Sequence, residues 1–155
     1  MILRVMMRRR LLVCGVVSGG AIATLAAHAQ VGVWVVTPAE AALPPARSLR
    51  NGRCITRAPA IRQISPVHAV AAGQPFRLII EFAARGDEKI NPSSVQVTML
   101  RGNEINLTDR LRPFITAKGI EIANAMVPAG THVLEIAVGD TSCRQSSANI
   151  EIIAR

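Results

Sequence analysis

The sequence predicts an all-β fold, an antiparallel β-sandwich of about seven strands over residues 59–155. Three observations predict it. Apolar and polar residues alternate with period two in several runs, turn signals recur every eight to fifteen positions, and no sustained helical period occurs. A chain of 155 residues, 50% of them apolar, has room for one modest domain and excludes large multidomain catalysts. The aromatic residues are Phe76, Phe82, Phe114 and Trp34, with no tyrosine. Stacking platforms for sugars or single-stranded nucleic acid are therefore poorly supplied.

The elements follow in order. Residues 1–29 read as an export signal: a basic head ending in Arg8-Arg9-Arg10, an apolar run from Leu11 to about Leu25, then Ala27-His28-Ala29 before Gln30. The alternative is an uncleaved membrane anchor, because no charged residue occurs from Leu11 until Glu40. Either topology carries the remainder across the membrane, to the periplasm or the extracellular space. Residues 30–58 are expected to form an extended arm: the apolar run Val31 to Val36, one helical turn over Ala39 to Leu43, then Pro44-Pro45 and an arginine-rich linker. Trp34 is expected to pack onto the domain, with a membrane-surface anchor as the alternative.

The strands begin with Ile61 to Ser65. Phe76, Leu78, Ile80 and Phe82 alternate with Arg77, Ile79, Glu81 and Ala83, the clearest strand of the chain. Val95, Val97 and Met99 give the next, and Gly102-Asn103 turns it into Ile105 and Leu107. Gly119 opens a strand through Ile120 and Ile122. Ala129-Gly130 leads into His132, Leu134, Ile136 and Val138, and Gly139-Asp140 turns the chain toward Ile150 and Ile152.

Within that pattern, Ile90-Asn91-Pro92-Ser93-Ser94-Val95-Gln96-Val97, Leu107-Thr108-Asp109-Arg110-Leu111 and Val127-Pro128-Ala129-Gly130-Thr131-His132 occur in order. Together they resemble three successive segments of bacterial secreted immunoglobulin-like domains. The resemblance covers residues 59–155 and implies an immunoglobulin-like sandwich. It carries over no catalytic residues, since the matching positions are turns and core.

Cys14 falls in the signal, so the exported part keeps Cys54 and Cys143. An even pair in an oxidising compartment reads as one disulfide. The two are 89 positions apart and have neither the close spacing of a redox pair nor the neighbouring histidines of a metal site. Such a bridge would tie the arm to the last hairpin, unlike the central bridge of antibody domains.

The net charge of +8 is unevenly distributed. Four basic residues precede the apolar run, and Arg47, Arg50, Arg53, Arg57 and Arg62 lie in a stretch without acids between Glu40 and Glu81. From Gln63 onward, nine basic and nine acidic residues cancel. A nucleic-acid binder would keep its positive charge on the fold, so no nucleic acid is expected as partner. The five arginines are instead candidates for contact with anionic lipid or cell-wall polymer, or form a solvated linker.

Little else carries chemistry. His132 falls in register with Leu134 and Ile136 and is expected at the edge of the core, and His68 follows Ser65-Pro66 in a solvated loop. Asp87, Glu88 and Asn91, or Glu104 and Asp109, offer too few oxygens for calcium and read as solvated loop acids. Copper-resistance carriers of the periplasm resemble the chain around Thr37-Pro38-Ala39, with His28, His68 or His132 as ligands, but Asp140-Thr141-Ser142-Cys143 lacks their later histidine. The expected function is therefore a non-catalytic envelope protein, a binding or structural module whose partner is another envelope protein, with no cofactor and no evident small-molecule substrate. A periplasmic copper carrier and a small envelope hydrolase are the alternatives.

Overall fold

The computed structural model describes residues 32–45 and 58–155. Residues 1–29, expected to be an export signal, and Cys54, Arg47, Arg50, Arg53 and Arg57 lie outside the described residues. The chain folds as two facing β-sheets. One contains β1 (Val33–Trp34), β7 (Gly119–Met126), β3 (Phe76–Ala83) and β2 (Ala60–Ser65) in that order, with β6 (Ile115–Thr116) also paired to β7. The other has the order β5 (Glu104–Asn106), β4 (Ile90–Leu100), β8 (Gly130–Asp140) and β9 (Gln145–Ala154). All pairings between these strands are antiparallel except β1 with β7.

Period-two burial does what the alternation predicts. Leu78, Ile80 and Phe82 of β3 meet Val95, Val97 and Met99 of β4 and Leu134, Ile136 and Val138 of β8 in one core. All seven expected strands are present, and the structure adds β1 and β6. Strand β4 also begins at Ile90, five residues before the alternation of Val95 starts. The pairing register with β8 shifts between Asn91 and Gln96, and this irregularity absorbs the Pro92-Ser93-Ser94 interruption. Leu107 is not in a strand. It precedes one helical turn (Thr108–Leu111) that buries Thr108 and Leu111, followed by a 3-10 turn over Arg112–Phe114.

Residues 32–45, the described part of the expected arm, dock on the sandwich. Val33 and Trp34 pair in parallel with Ala125 and Met126, and Val35 and Val36 are completely buried in the core. Trp34 is half-buried. A four-residue helix (Pro38–Ala41) follows, closed by a capping box between Thr37 and Glu40. Gly102 N then donates to Pro44 O at 2.7 Å, and Pro45 forms an isolated bridge with Arg101. Residues 32–45 thus form a strap that leaves one sheet at β7 and reaches the other at the β4–β5 turn. The apolar surface of Val35 and Val36 drives this docking.

The strap is locked by Glu40. Its carboxylate accepts two hydrogen bonds from the Arg110 guanidinium at 2.9 and 2.7 Å, and Arg110 also donates to Val35 O at 3.1 Å. Arg110 holds the Glu40 pKa down at about 2, against an ordinary 4.5, despite the opposing effect of burial. A depressed carboxyl contributes stability above its unfolded value near 4.5, which is lost as pH falls toward 2. Because the Arg110 side chain is 35% exposed, solvent screening reduces the contribution to about 1–2 kcal/mol. Glu40→Gln is expected to lower stability by that amount at pH 7 and to lose most of that deficit as the pH falls to 2. Urea denaturation across this range checks it; a deficit independent of pH would refute the ion-pair assignment.

On the opposite side of the sandwich, β2 lies beside β9. Ser146 Oγ donates to Pro59 O at 2.6 Å and Gln63 Nε2 to Glu151 O at 3.3 Å. Val70 N and Ala72 N donate to the Ile153 and Arg155 carbonyls, each at 2.9 Å. Both flanks therefore have partners for part of their edge backbone.

Candidate functional site

The end of the sandwich that carries the β3–β4 loop and the β8–β9 turn collects most of the organised polar chemistry. Strand β8 ends at Asp140, whose side chain is buried. Asp140 Oδ1 accepts from Ser142 N and Arg144 N, both at 2.9 Å, and Oδ2 accepts from Arg144 Nε at 2.8 Å. Burial alone would raise its pKa, but these donors outweigh burial and hold the carboxyl below its usual range. Glu88 reaches the same turn from the β3–β4 loop. It accepts from Ser142 Oγ at 2.6 Å and Thr141 Oγ1 at 2.5 Å, and these hydroxyls lower its pKa. Arg144 Nη2 lies 3.3 Å from Glu88.

Glu88 is therefore not the solvated loop acid that the sequence suggests; it bridges two loops. Asn91 Oδ1 accepts Ser93 N at 3.1 Å, which closes a local turn. Asp109 lies in the first turn of the helix after Leu107, and Glu104 is in β5. Among the described residues no group of three His, Cys, Asp or Glu side chains is placed to hold a metal ion. Cys143 sits in the same turn with φ +58°, exposed and without a disulfide partner among the described residues.

His132 is where its register predicts, on the inner face of β8 and completely buried. Its Nε2 lies 2.8 Å from Pro128 O, so this nitrogen carries the proton and donates. Nδ1 is buried without a hydrogen-bond partner among the described residues. Desolvation depresses the pKa and keeps the ring neutral. His68 is exposed in the β2–β3 loop, beside Val67 and Ile153. Of the two histidines among the described residues, one is thus sealed in the core and the other lies in solvent. Arg62 is exposed on β2, opposite Glu81 of β3.

Beside the Glu88 loop lies a groove of about 660 Å³. The end of β3, the start of β4 and the β6–β7 turn enclose it: Phe82 and Ile90 supply its apolar wall, and Lys89 and Lys118 flank it. No sequence motif points to this groove, because its walls come from three separate stretches. Among the described residues no helix is long and apolar enough to cross a membrane. Comparison with known family models, curated proteins and solved structures found no match for the chain.

Proposed function

We propose that the chain is a non-catalytic exported protein of the bacterial cell envelope, an immunoglobulin-like sandwich that serves as a binding or structural module for another envelope protein. The observation that carries this reading is the disposition of its reactive side chains. The imidazole of His132 is occupied by Pro128 O inside the core, His68 is exposed, and the acids of the loop end are tied to Arg144 and to Thr141 and Ser142. None of these is arranged as a nucleophile with an oriented base. Residues 1–29 have the composition of an export signal, and Arg47, Arg50, Arg53, Arg57 and Arg62 offer a second surface, toward anionic lipid or cell-wall polymer.

In an oxidising compartment Cys54 and Cys143 would close as a disulfide. The anchoring of Pro59 to Ser146 supports this pairing. Cys54 is five positions from Pro59, a reach of about 17 Å, and Cys143 is three positions from Ser146. Expression of the full chain in a bacterial host, followed by fractionation and intact-mass measurement without reductant, tests the reading. The expected product is periplasmic, begins at Gln30 and weighs about two hydrogens less than the reduced chain. A cytoplasmic product that retains Met1 would refute export, and an exported dithiol would refute the bridge alone.

A further inference from the structure

We propose that the groove between the β3–β4 loop and the β6–β7 turn binds a free single-chain anionic amphiphile, with its carboxylate between Lys89 and Lys118 and its apolar body against Phe82 and Ile90. The ligand is additional to the protein partner proposed above and does not depend on export. Its class follows from three features of the groove.

The volume, about 660 Å³, falls within the range of small-molecule sites. The wall is apolar because the core reaches the surface here: Phe82 and Ile90 belong to the buried cluster, yet each keeps 7% exposure and lines the groove. Small residues keep the mouth open: Ala84 and Ala117 contribute only methyl groups.

The charge around the groove is asymmetric in its commitments. Two acids also line it: Glu121 is ion-paired with Arg77, whereas Glu81, across from Arg62 on the adjacent strand, forms no ion pair among the described residues. Lys89 and Lys118 are exposed, and neither ammonium group forms an ion pair among the described residues. Two unpaired cations against one unpaired carboxylate leave an excess of positive charge beside an apolar wall, which complements one anionic head on an apolar body, whereas a cationic amphiphile would add to that excess. The long lysine stems can follow the ligand while their ammonium groups stay at the water boundary.

Isothermal titration of the purified chain with sodium dodecanoate, below its micellar concentration, tests this. Saturable one-to-one binding is expected, with none for dodecyltrimethylammonium. The double variant Lys89→Ala/Lys118→Ala is expected to bind about tenfold or more weakly. Ala117→Trp, which fills the mouth and keeps both lysines, is expected to bind about tenfold or more weakly as well. All of these positions are exposed, and an unchanged thermal midpoint verifies the fold of each variant. Absence of saturable binding to the folded parent, equal affinity for the cationic amphiphile, or parent-like affinity in either variant would overturn the proposal. So would binding confined to phosphatidylglycerol vesicles without uptake of free dodecanoate, which would place the anion in a membrane surface. Failure of export leaves the outcome of this titration unaffected.

Discussion

A chain that begins at Ala58 is expected to be about 3–6 kcal/mol less stable than one that begins at Gln30, because Val35 and Val36 are fully buried and each contributes about 1.5–3 kcal/mol on burial. The Glu40–Arg110 pair is lost with them. A sandwich of this size has about 5–15 kcal/mol in total, so the shortened chain is expected to be marginal at 25 °C. Urea denaturation under reducing conditions measures the difference without interference from the loss of Cys54. A point variant separates lost packing from shortened length: Val35→Asp in the full chain buries an unpaired charge and is expected to destabilise by a similar amount or more. If both chains unfold at the parent's urea midpoint, the strap is an appendage and the core closes without it.

The strap also shows where sequence periodicity loses its power. Strand β3 is legible because eight residues alternate strictly, and one register then places Leu78, Ile80 and Phe82 inward together. Strand β1 has two residues, and two residues have no period. Its partner is 92 positions away and parallel, with Val33 opposite Ala125. The prolines and arginines that follow Val36 then suggested a linker, although Val35 and Val36 were apolar for the ordinary reason that they are buried. The turn Thr108–Leu111 is similarly short. The spacing of Leu107 and Leu111, both buried, is that of one helical turn, but a single spacing does not stand out from the strand alternation on either side.

The sites divide in the same way. The fate of His132 was legible, because a residue in register with Leu134 and Ile136 shares their face. The role of Arg110 was not: its position in a turn gave no sign of a carboxylate 70 residues earlier. Glu88 and Arg144 met through the juxtaposition of two loops, and each looked like an ordinary surface charge in its own stretch. The groove is the extreme case. Phe82, Ile90 and Lys118 belong to three runs, and only the pairing of β3 with β7 and the crossing of the chain from β3 to the second sheet put them around one space.

Gly119 connects that groove to the stability of the sandwich, and Gly119→Ala is expected to cost about 3–5 kcal/mol. The sequence marks this glycine only as a strand opener. In the structure its φ is +148°, and an added Cβ would lie 1.9 Å from Ile80 O and 3.1 Å from Glu81 Cα. Those are backbone atoms of β3, a strand flanked by β2 and β7, so no flexible side chain can yield. Relief requires β3 and β7 to separate at the Glu81–Gly119 pair, next to the hydrogen bond from Phe82 N to Lys118 O. Gly86 provides the control. Its φ of +71° also disfavours alanine, but a Cβ there meets nothing within 4 Å, so Gly86→Ala is expected to cost only about 1 kcal/mol. Urea midpoints of the two variants give the comparison, and hydrogen exchange at the Phe82 amide locates the opening. Equal losses would mean that only the backbone conformation of Gly119 matters, and that the contact between the two strands yields without cost.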